Sequence, residues 1–124
     1  MKTKITLMLV TVLLLAACAP KTSPTPAGTL PPIQFATAQS GEVKVSIASY
    51  AFDPALITIT TGSTITWTNN DSVSHNVLAD DGSWGSDSLA KGDSFSYTFT
   101  QAGTFSYHCG FHSSMKATIT VIAP

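Results

Sequence analysis

The chain has 124 residues, 10% of them charged, no arginine, and a formal net charge of −1. That length makes one domain the default, and the lack of a basic surface excludes the phosphate contacts on which nucleic-acid binding depends. Aromatic and β-branched residues recur between Gly- and Pro-marked breaks, so a small all-β fold is expected.

Residues 1–17 read as a secretion signal. Lys2 and Lys4 give the positive start, Ile5 to Leu15 is an apolar run broken only by Thr6 and Thr11, and Ala16 and Ala17 precede Cys18. The run falls short of the roughly 20 apolar residues that span a bilayer. Its end, Leu15-Ala16-Ala17-Cys18, resembles the lipobox of bacterial lipoproteins. That resemblance implies cleavage before Cys18 and diacylation of its sulfur. The exported protein would then be lipid-anchored to the bacterial membrane, facing the periplasm or the cell exterior. A lipidated Cys18 cannot pair with Cys109, the other cysteine of the chain. An unpaired cysteine in an exported protein asks for another explanation.

Residues 18–40 carry five of the seven prolines, mixed with Thr, Ser and Ala. This is a tether, reaching up to about 60 Å at about 3.1 Å per residue if extended. The remaining segment, 41–124, reads as one globular head. Val43, Val45 and Ile47 alternate with polar residues. Leu56–Thr60 and Thr64–Asn69 flank a turn at Thr61-Gly62-Ser63. In Ser94–Thr100, Phe95, Tyr97 and Phe99 share one face; Thr104–Cys109 and Ala117–Ile122 follow. Short strands are expected near Tyr50 and Val77, and no stretch has helical amphipathicity. The expected fold is a Greek-key β-sandwich of about seven to eight strands.

The chemistry concentrates in Thr104–Met115, which reads TFSYHCGFHSSM. Cys109, His112 and Met115 stand at Cys-x2-His-x2-Met spacing, a thiolate, an imidazole and a thioether that together suit copper. A buried free cysteine is most often a small hydrophobe. Here Gly110 breaks the strand directly after it, so the following loop can fold two more donors over the sulfur. His75, in SVSHNV, is the natural second imidazole. Strand parity turns Cys109 inward with Phe105 and Tyr107 and turns His108 outward, so His108 is not expected on the same metal. Trp67 is expected in the core, whereas Trp84 has no assigned role.

Three pieces, YAFDPALITITTGSTITWTN, DSVSHNV and GTFSYHCGFHSSM, resemble the cupredoxins, specifically plastocyanin- and amicyanin-like proteins. The two-residue gap between His112 and Met115 is the amicyanin-like one. The resemblance implies one copper ion, with His75, Cys109 and His112 as equatorial ligands and Met115 as the weak axial one. It also implies that Asn76 ties the two ligand loops together and that its N–H donates to the Cys109 sulfur. The relatives have proline where this chain has Ser74 and Phe111. Phe111 retains an N–H, which is expected to give that sulfur a second donor.

The implied function is single-electron transfer through a Cu(I)/Cu(II) couple, without catalysis. Expected partners are cytochromes or a membrane oxidoreductase docking at His112 and Phe111, with the protein itself a monomer. All seven acidic residues lie in the head with three of the six lysines, leaving it four charges negative. Mild steering of a basic partner follows, limited by salt. The competing reading is copper binding and delivery with the same ligands but exchangeable metal. An enzyme using Cys109 as nucleophile has no evident oxyanion hole or orienting carboxylate.

Overall fold

Alternation of buried and exposed positions along each strand builds two inward faces that close on one another. The computed structural model describes residues 37–124. The segments read as signal and tether, with Cys18, lie outside the described residues. Eight strands follow in chain order: β1 (Glu42–Ala48), β2 (Ala51–Asp53), β3 (Leu56–Thr60), β4 (Ser63–Asn69), β5 (Leu78–Ala79), β6 (Ser94–Phe99), β7 (Gly103–His108) and β8 (Lys116–Ile122). They form an all-β sandwich of two four-stranded sheets, ordered β2-β1-β4-β6 and β3-β8-β7-β5. The long strands lie where the sequence pattern puts them, and the short ones near Tyr50 and Val77 are β2 and β5.

Two pairings are parallel, β1 with β4 and β3 with β8. Alternation alone specifies which face is buried, not which neighbour a strand takes or in which direction. Each parallel pair joins strands separated in sequence, because only antiparallel neighbours can be linked by a tight turn.

Trp67 is the centre of the core. It is fully buried on β4, opposite Val45 of β1 and Phe95 of β6. Its ring stacks on Phe95 and on Trp84, each at a centroid distance of 5.6 Å. Trp84 belongs to this core as well, stacked on Tyr97 at 5.1 Å. Trp67 Nε1 donates to the Tyr107 hydroxyl at 3.2 Å. That bond joins β4 in one sheet to β7 in the other, two residues before Cys109. Burial pushes the Tyr107 phenol up to about 12, against the smaller opposing effect of the Trp67 bond. The hydroxyl therefore stays protonated through the physiological range.

Replacing Tyr107 by Phe removes the acceptor and leaves the Trp67 N–H buried without a partner. Unfolding free energy of the metal-free protein should fall by about 1–3 kcal/mol. Urea denaturation followed by tryptophan fluorescence checks this; an unchanged midpoint contradicts it.

Candidate metal centre

Two loops meet at one end of the sandwich. The first, between β4 and β5, carries His75; the second, between β7 and β8, carries Cys109, His112 and Met115. The Cys109 loop closes on itself, since Met115 N–H donates to the His112 carbonyl at 3.0 Å and Cys109 N–H to the Met115 carbonyl at 3.1 Å. His75 is pinned by a two-way bridge to Leu89, its N–H to the Leu89 carbonyl at 3.1 Å and the reverse bond at 2.7 Å. The loops are tied to each other by Gly110 N–H, which donates to Asn76 Oδ1 at 2.6 Å. Glycine at position 110 leaves room for that approach. A Cβ there would lie 2.9 Å from Leu78 Cδ1 and 3.2 and 3.3 Å from the two Asn76 amide atoms.

The result is a donor cluster. His75 Nδ1 and His112 Nδ1 each lie 3.7 Å from Cys109 Sγ, and the three ligand atoms are all within 4.8 Å of one another. Cys109 and His75 are fully buried, Met115 is 2% exposed, and His112 is half-buried. A thiol has one proton and can satisfy only one of two facing nitrogen lone pairs. A shared cation satisfies both. A first-row ion in a trigonal plane, about 2.0 Å from nitrogen and about 2.3 Å from sulfur, sets those atoms about 3.7 Å apart. The residues present therefore fit a metal, and the soft sulfur with two imidazoles fits copper.

A family model described as a cupredoxin-like domain matches residues 6–121. The chain belongs to the cupredoxins. It is 33% identical over 95 residues to amicyanin from Paracoccus denitrificans, covering 73% of this chain and 72% of that one. It is 37% identical over 83 residues to plastocyanin from Scenedesmus fuscus, covering 56% and 85%. Among solved structures it resembles a reduced tryptophan-to-tyrosine mutant of amicyanin, with a TM-score of 0.62 and 27% identity over 69% of this chain and 87% of that one. It also resembles a Cu-containing nitrite reductase from Thermus scotoductus SA-01, with a TM-score of 0.63 and 26% identity, but spans only 23% of that chain. The cofactor of this cupredoxin is one copper ion.

Both imidazole nitrogens lie 3.7 Å from the sulfur in this cupredoxin. Asn76 acts through its side-chain oxygen, and the Phe111 side chain points outward, 55% exposed. His108 is turned away from the cluster, and its Nδ1 meets Asp80 Oδ1 at 2.6 Å.

Sequence reasoning passed over Asp71, Asn69 and Tyr50. Asn69 is fully buried and shapes the His75 loop, its amide donating to the Val73 and Leu89 carbonyls at 2.8 Å each. Its oxygen accepts the Asp71 N–H at 2.9 Å. Asp71 in turn accepts the N–H groups of Ser49 at 2.7 Å and Tyr50 at 2.9 Å and meets His75 Nε2 at 2.9 Å. The Tyr50 N–H foremost, with those of Ser49 and His75, holds its carboxyl below the usual carboxylate range. Ser49 and Tyr50 both have positive φ, 52° and 57°, a conformation that costs non-glycine residues on the order of 1 kcal/mol each. Charge-assisted bonds to the carboxylate offset that cost. Acid and histidine at a four-residue separation were visible in the sequence; the turn that Asp71 also holds was not.

Substituting Gly110 by Ala should displace the Asn76 amide and loosen the two loops. Copper affinity is expected to fall about tenfold, measured by competition with a chromophoric chelator. Unchanged affinity contradicts the tie.

Proposed function

We propose that this cupredoxin is an exported, membrane-anchored electron carrier with a type 1 (blue) copper site. The observation that carries the reading is the convergence of His75 Nδ1 and His112 Nδ1 on the buried Cys109 sulfur. His75, Cys109 and His112 would hold the metal, with the buried Met115 thioether as a weak fourth donor. Copper bound there supplies a one-electron couple between Cu(I) and Cu(II).

The chain's own residues do the rest. The loop closures at Met115 and Leu89 and the Asn76–Gly110 bond hold the donors in one arrangement, so little movement accompanies a change of charge. The framework keeps Cys109 and His75 from solvent. His112, half-buried with the exposed Phe111 beside it, is the edge at which a partner protein such as a cytochrome or a membrane oxidoreductase makes contact. A fully buried Cys109 cannot reach a substrate carbonyl, which argues against a nucleophilic enzyme. The same burial favours retained over exchangeable copper, and so a carrier over a delivery protein.

The proposed domain plan is a lipoprotein signal at 1–17, a lipidated Cys18 and tether at 18–40, and the copper domain at 41–124. The acylated chain sits at the membrane as a monomer, and the tether lets the head reach partners.

Reconstitution with Cu(II) should give an intense blue band that is lost in Cys109→Ser. Repeated reduction and oxidation should retain the metal against a modest chelator. A colourless complex contradicts the blue-copper site, and metal lost on reduction favours delivery instead. For the anchor, Cys18→Ser should move the protein from the membrane to the soluble fraction of its bacterial host; unchanged membrane partition contradicts lipidation.

A further inference from the structure

We infer that Asp71 is the positioning residue of the metal centre: one carboxylate fixes the His75 imidazole with Nε2 protonated and Nδ1 bare toward Cys109, and also holds the turn that lays Tyr50 against both imidazoles. The inference rests on His75 being a ligand, as proposed above.

His75 has two ring nitrogens with opposite tasks. Nδ1 faces the sulfur at 3.7 Å, and Nε2 faces Asp71 Oδ2 at 2.9 Å. An ionised carboxylate only accepts, so Nε2 must carry the proton and Nδ1 the lone pair. That tautomer is the one able to bind a metal from the cluster side. The choice is made before any metal arrives, because Asp71 is itself fixed. Its N–H is held by Asn69 Oδ1, and its carboxylate by the Ser49 and Tyr50 N–H groups. A carboxylate behind a ligating imidazole also makes the ring a stronger donor, which favours the more highly charged metal state.

The second consequence runs through the turn. Ser49 and Tyr50 adopt left-handed backbone conformations whose N–H groups both end on Asp71. The Tyr50 ring consequently stands edge-on to His75 at 5.6 Å and to His112 at 4.9 Å. Tyr50 remains 52% exposed, so the ring is an outer wall of the site held from below by the carboxylate. His112 has no such carboxylate among the described residues. The two imidazoles are thus unequal, and His112 serves as an internal control.

The test begins on the metal-free full chain labelled with 15N. Imidazole NMR should show His75 as the Nε2–H tautomer; the Nδ1–H form overturns the inference without any variant. Asp71→Asn should weaken that tautomer preference while leaving His112 unchanged. It should also lower Cu(II) affinity about tenfold, lower Cu(I) affinity less, and so raise the reduction potential. Asp80→Asn removes the same charge from a carboxylate that touches His108 and no proposed ligand. It should leave the His75 tautomer and the potential near those of the unsubstituted chain. Equal shifts in the two variants reduce Asp71 to a distant charge, and an unchanged tautomer in Asp71→Asn overturns its role. Because the tautomer is read without metal, this result stands apart from the blue-band experiment, whose failure would instead remove the copper reading.

Discussion

Two imidazole nitrogens face one buried sulfur across 3.7 Å, with a single thiol proton between them. With both nitrogens bare, a cation is what satisfies all three groups at once, and much of the surrounding structure serves to keep them in place. The loop bearing His75 crosses from one sheet to the other; the loop bearing Cys109, His112 and Met115 stays within its own sheet. What brings them together is local and polar: the Asn76–Gly110 bond between the loops, the Leu89 bridge behind His75 and the carbonyl closures inside the Cys109 loop. Beneath them the Trp67–Tyr107 bond spans the core between the sheets. The site is preorganised because several weak constraints agree.

That agreement is what an electron carrier requires. A donor set preferring neither oxidation state strongly, in a frame that does not relax, keeps the cost of changing charge small. The same frame leaves the edge at His112 and Phe111 near solvent and buries His75. The partner contact proposed at that edge would be made mainly by apolar surface, with electrostatics adding modest steering.

The strands were legible because period-two alternation is a direct consequence of the pleat, and Val43, Val45 and Ile47 or Phe95, Tyr97 and Phe99 leave little choice of face. The donor motif was legible because three soft donors in one short loop are rarely accidental. Partner choice between distant strands was not, and neither was the place of Trp84, since both depend on contacts far apart in sequence. Asp71 read as one polar residue in a polar loop; its importance comes from the Ser49–Tyr50 turn, about 20 residues earlier, folding back onto it. In this chain the Asn76 side chain takes the Gly110 N–H, and Phe111 faces outward.

Two nitrogens and one thiolate form a preformed set that would hold copper with little change between its oxidation states. X-ray absorption at the copper edge, on the oxidised and reduced protein, measures this directly. One short sulfur and two nitrogen neighbours are expected in both states, with bond lengths nearly unchanged on reduction. An oxygen-rich shell, a missing sulfur, or loss of a nitrogen on reduction would contradict it.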